Sequence, residues 1–214
     1  MSKLFNQDNA FFRIMAVCFD LVELNLLTLM GCLPVVTAGA SFAAMHNVLW
    51  HMVRGEQTYV FAEFVGAFRA NIKQASVVWL LCVVLSAVLT ADVVFALQLE
   101  GVGRIGSLGL LTLAACTLWA VAQYSFVLMS RYRNSVTGYV KNAGLLAFGF
   151  LPRTLGMLVV LVVFAALSVW SLPYGVPLIV LFGLSLPQYC CAWLYAPILR
   201  RLDGDRLDGE APGR

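Results

Sequence analysis

Charge is what this chain has least of: Asp, Glu, Lys and Arg make up 12% of its 214 residues, about half the share usual in soluble domains. With 61% apolar residues and a mean hydropathy of +0.87, it lacks the polar surface that a water-soluble core needs, and lipid is its expected solvent. Catalytic signatures are absent as well. There is no GxxxxGKS phosphate loop, no HExxH, no GxSxG, and no Ser set beside His and Asp for acyl transfer. These gaps exclude an ATPase of the chain's own and leave an intramembrane acid and base without a nucleophile or metal, so a non-enzymatic protein with no cofactor is expected. No basic face interleaved with aromatics suits nucleic acid. The only two histidines, His46 and His51, are five apart and diverge by about 140° on a helix, unlike the HxxxH face of zinc-binding helices. Six cysteines lie in apolar stretches without CxxC spacing, and read as small core hydrophobes rather than staples.

What is present is a series of long apolar stretches. The first runs from about residue 11 to 53, broken at Leu33-Pro34 and Gly39. As one helix it would be about twice the hydrocarbon thickness, so it reads as a two-helix hairpin with Pro34 and Gly39 supplying the turn. The expected architecture is all-α, a polytopic helical bundle of residues 1–199 with spans at 11–32, 35–53, 76–98, 105–129, 154–170 and 174–199. Five spans result if the first block crosses once. Thr37-Ala38-Gly39-Ala40 resembles a signal cleavage site, but Asp20 and Glu23 do not suit a signal core, and the segment is expected to stay in the mature protein. The polar tail 200–214 reads as disordered.

With six spans, thirteen of the fourteen Lys and Arg fall on one side and Arg104 alone on the other. By the positive-inside rule both termini are then cytoplasmic. A single crossing of the first block would reduce the split to eleven against three. Between spans two and three, residues 58–73 place Val60, Phe61, Phe64, Val65, Phe68 and Ile72 at spacings of three and four, the pattern of an amphipathic helix at the cytoplasmic interface. A second elbow of this kind is expected at 131–152. Trp50, Tyr59, Tyr132, Trp170 and Tyr174 read as interface anchors.

Polar side chains inside such spans need a partner or a wet cavity, because lipid solvates neither amide nor carboxylate. Asp20, Glu23 and Asn25 in span one and His46, Asn47 and His51 in span two are expected to gather into one cluster between the first two helices. That cluster would serve either a proton, cation or solute pathway or interhelical hydrogen bonding. Arg54, Gly55 and Glu56 at the end of span two, with Gly55 left-handed, would form an elbow. With Arg69, Asn71, Lys73 and Gln74 it reads as a docking face for a cytoplasmic partner or as an interfacial anchor. Asp92, Gln123 and Gln188 are the remaining buried polar residues, Gln188 lying beside Pro187 in a helix that Pro would interrupt.

Five ordered blocks carry a resemblance: FNQDNAFFR (Phe5 to Arg13), DLVELNLL (Asp20 to Leu27), CLPVVTAGAS (Cys32 to Ser41), MVRGEQTYV (Met52 to Val60) and FRANIKQA (Phe68 to Ala75). Together they resemble the YesL family of bacterial integral membrane proteins, which carry a domain of unknown function. The likeness covers most of the chain and is strongest in its first part. Ala10 stands where that family often has Pro, and Gln57 where it often has Glu, which argues against an essential charge at 57. Members typically lie beside carbohydrate ABC importers and glycoside hydrolases. The resemblance therefore implies an accessory or regulator of sugar uptake, with a sugar ABC permease or its ATPase as partner besides the lipid bilayer, and an oligomer is compatible with it. It transfers no catalytic residue. The alternative is a small-solute transporter or channel in its own right.

Overall fold

The computed structural model describes residues 10–56, 59–132, 134–171 and 175–209. They form eight α-helices: α1 Ala10–Cys32, α2 Ala38–Val53, α3 Val60–Ala96, α4 Gly101–Met129, α5 Val136–Gly149, α6 Leu151–Ser171, α7 Val176–Phe182 and α8 Ser185–Gly209. No strand occurs among the described residues. The chain is a helical protein of membrane type. Four helices (α1, α3, α4 and α6) are long and apolar enough to cross a bilayer, and α7 with α8 makes a fifth if that pair, bent by 43°, is one span.

The expected second span is where the count departs from six. α2 has 16 residues, about 24 Å against the roughly 30 Å of hydrocarbon, and it is the centre of the fold rather than a lipid-facing helix. Twelve of its sixteen residues are buried, packed among α1, α3, α4 and α8. Small side chains make this enclosure work. Ala40, Ala43 and Ala44 are fully buried, and a Cβ on Gly39 would collide with the Ala75 carbonyl oxygen and sit 2.6 Å from Trp79 Cβ. Gly39 is thus a helix-packing residue, the small-residue device of membrane bundles, and not part of the turn. The turn is made by Pro34 and the 3₁₀ segment Val35–Thr37, with the Thr37 hydroxyl donating to the Gly31 carbonyl at 2.9 Å.

α3 is one continuous helix of 37 residues, about 55 Å long. The expected amphipathic element is therefore the first half of a longer helix, since between Gly66 and Ala96 no Gly or Pro interrupts it. Val60, Phe64, Ala75 and Val78 are buried in its first half, whereas its second half and the facing first half of α4 are largely exposed. The second elbow holds α5, started by Ser135, whose side chain accepts from the Gly138 N–H, and joined to α6 at Phe150.

Two further expectations change. The interruption before α8 lies at Gly183-Leu184, so Pro187 falls in the first turn of α8, where its missing N–H costs nothing. The described part of the 200–214 tail is helical as far as Gly209, because extending a helix anchored by buried Ile198 and Leu199 is far easier than starting one. Residues 210–214, Gln57 and Tyr174 lie outside the described residues.

Candidate functional site

The expected six-residue cluster divides into separate pairings. On α1 the buried stripe is Leu21, Leu24, Asn25 and Thr28, spaced as one helix face. Asp20 lies beside that stripe, half-buried, and Glu23 is exposed. Neither carboxylate makes a hydrogen bond or ion pair among the described residues. They do not meet His46, because the stripe of Leu21, Leu24, Asn25 and Thr28 is the face of α1 that turns inward.

Asn25 instead reaches the helix break. Its amide donates to the Val180 carbonyl at 2.6 Å, and its oxygen accepts from the N–H groups of Leu184 and Ser185, at 2.9 Å each. One side chain from α1 thus satisfies the last turn of α7 and the first of α8, backbone groups that lipid could not satisfy. His46, 1% exposed, has its Nδ1 3.2 Å from the Tyr195 hydroxyl of α8, with the rings edge to face at 5.8 Å. Gln123 of α4 and Gln188 of α8 pair reciprocally, at 2.5 and 3.4 Å. Asp92 is exposed on the second half of α3 and joins none of these.

Partners missed in the sequence are hydroxyls. Tyr124 meets Thr154 at 3.2 Å, and Thr154 donates to the Ala147 carbonyl at 3.0 Å, tying α4, α5 and α6 together. The Tyr139 hydroxyl donates to the Tyr132 carbonyl and accepts from the Asn134 N–H. The available signal was a tyrosine well inside an apolar run, since a buried hydroxyl needs a partner.

The elbow forms largely as expected. Gly55 has φ +70°, and the N–H groups of Gly55 and Glu56 bond to the carbonyls of Met52 and His51 at 3.0 and 3.2 Å, the pattern of a Schellman C-cap. Glu56 then accepts from His51 at 2.5 Å and pairs with Arg54 at 2.7 Å. The His51 hydrogen bond, aided by the Arg54 charge, holds the Glu56 carboxyl below the ordinary carboxylate range. The guanidinium groups of Arg131 and Arg54 lie 4.3 and 5.6 Å from the Trp50 ring centre, joining the ends of α2 and α4 by cation–π contact. Gln74 donates to the Asn134 carbonyl at 3.3 Å. Asn71 donates within its own helix to Ala67 at 3.0 Å, and Arg69 and Lys73 are exposed. Asn47 is half-buried and lines a cavity of about 280 Å³ with Gly66, Ala67, Ala70, Asn71, Met129, Ser130, Arg131 and Tyr132.

No curated protein and no solved structure shows significant similarity to the chain. Residues 21–93, which run from within α1 through α2 into the last turns of α3, match the family model described as "Protein of unknown function, DUF624".

Proposed function

We propose that the protein is a non-enzymatic, multi-pass accessory of carbohydrate uptake in a bacterial inner membrane, with both termini cytoplasmic, working beside a sugar ABC permease or its ATPase. One observation carries this reading. Three of the buried polar side chains that the sequence singles out are used in pairings that hold helices together: Asn25 to α7 and α8, His46 to Tyr195, Gln123 to Gln188. Such groups are structural bonds rather than a solvated path. Arg69 and Lys73, exposed on α3 beyond the elbow and in no ion pair among the described residues, lie where a partner can reach them. The orientation rests on the count of basic residues and requires the α1–α2 hairpin to bring the chain back to the side from which α1 started; Arg54 and Arg131, which meet over Trp50, then lie on the cytoplasmic side.

A transporter is the second reading, favoured by the break between α7 and α8, since discontinuous helices build solute sites in many carriers. Crosslinking in native membranes followed by mass spectrometry distinguishes the two. The accessory reading expects a permease neighbour, captured less by the Arg69→Glu/Lys73→Glu double variant, and no sugar uptake by the purified protein in liposomes. Unaided uptake would replace it with the transporter.

A further inference from the structure

α1, one of the helices long and apolar enough to cross a bilayer, turns Leu21, Leu24, Asn25 and Thr28 into the bundle. The opposite face carries Ala16, Phe19, Glu23, Leu26 and Met30, at alternating spacings of three and four. Phe19 and Met30 are 69% and 67% exposed, and Glu23 lies between them. Asp20, one turn before Glu23, stands half-buried at the edge of this face.

Depth is what makes such a face costly to leave against lipid. α1 has 23 residues, Ala10–Cys32, so its midpoint is Leu21, and Asp20 and Glu23 lie within about 3 Å of it along the axis. Lys and Arg reach a headgroup layer from within a span by their long stems, which a carboxylate lacks. An acid at this depth is therefore matched by a polar interior or by an opposite charge. The chain supplies Glu23 with neither. Arg13, the one cation of α1, is ten residues away, about 15 Å along the axis. α7, which packs beside α1, has no charged residue, and the His46 ring is turned to Tyr195.

We propose that the outward face of α1 is an intramembrane docking surface for a transmembrane helix of a partner protein that presents a Lys or Arg side chain at mid-bilayer depth, paired with Glu23 and Asp20. Charge complementarity selects this occupant. Two acids one turn apart offer a single cation several acceptor oxygens, and Phe19, Leu26 and Met30 surround the pair with apolar side chains. A second copy of the chain fits worse, because a two-fold contact sets the same face against itself and would oppose Glu23 to Glu23. The contact rests on the accessory reading only in requiring a membrane partner, and it is separate from the exposed Arg69 and Lys73.

The test places a photoreactive amino acid at Leu26 or Met30 of the full-length protein in its native membrane, and for comparison at Val84, exposed on the second half of α3. Crosslinked segments are identified by mass spectrometry. Capture from α1, but not from Val84, of a transmembrane segment with Lys or Arg inside its span supports the surface, provided that Asp20→Asn/Glu23→Gln lowers it about tenfold or more and Glu23→Asp retains it. Lipid adducts alone, a captured helix without a cation, a second copy of α1, or capture unchanged by the double variant overturns it. If the double variant lowers the melting temperature, Glu23→Gln set against Glu23→Asp decides: less capture with Gln supports the surface, and equal capture overturns it. A permease captured at the elbow with no protein captured at α1 overturns this contact and leaves the accessory reading standing. Unaided sugar uptake in liposomes removes that reading without changing which segments α1 captures.

Discussion

Asn25 and Glu23 are two residues apart, and the fold gives them opposite standing. Replacing Asn25 with Leu removes a donor and an acceptor at once and leaves the Val180 carbonyl and the Leu184 and Ser185 N–H groups without their partner. Each buried group so orphaned costs about 1–3 kcal/mol, so Asn25→Leu should lower the melting temperature markedly in detergent or nanodiscs. Glu23→Gln, which disturbs no bond among the described residues, should leave it within a degree or two, on the order expected for exposed sites; a large loss would contradict the placing of Glu23 outside the packed face of α1. At this scale the sequence showed which polar residues need explaining, because each stands out in an apolar run. It could not show their partners. Spacing of three puts Asp20 and Glu23 on one face of α1 but does not say which face turns inward, and that is decided by Leu21, Leu24 and Thr28. The Asn25 pairing spans more than 150 positions, beyond the reach of any local pattern.

Among the elements, α2 has the most demanding packing. Gly39→Val should separate α2 from α3, since even a Cβ collides with the Ala75 carbonyl there, and overpacking of this kind costs about 1–3 kcal/mol or more. Reduced yield of folded protein, set beside an unaffected Gly66→Val, where the same addition meets open space, checks it. The elbow closing α2 carries a pH dependence. Glu56 is held more acidic in the folded chain by His51 and Arg54, so its contribution is fully present above the ordinary carboxylate value. It is lost as pH falls through the lowered one. Amide exchange at residues 52–56 should therefore quicken in that acid window, by a modest factor because the site is exposed, and Glu56→Gln should abolish the change. The Schellman cap itself was legible, because Gly after the last helical residue is a local signal. The continuity of α3 was not. The sequence changes there from amphipathic to wholly apolar, which looks like a boundary, yet hydropathy does not break a helix; Gly, Pro and unsatisfied backbone do.

At the scale of the molecule, the apolar composition and the all-helical class were readable from the sequence, and the number of spans and the layering were not. Periodicity reports a face, whereas α2 is buried on nearly all of its faces, and a short helix buried all round has the same composition as a span. The result is a core of α2, the first half of α3, the end of α4 and α8. The second half of α3, the first half of α4, and α6 present apolar side chains outward, Ile105, Leu110 and Val169 each about 70% exposed. Contiguous apolar surface of this extent is incompatible with water and ordinary in lipid. Photoreactive lipid analogues incorporated into a native bilayer, with labelled residues mapped by mass spectrometry, test that arrangement most directly. Labelling should concentrate at residues 80–95, 102–113 and 155–169 and spare 38–53. Labelling of α2 as strong as that of α4 would contradict a fold built around a helix hidden from the membrane.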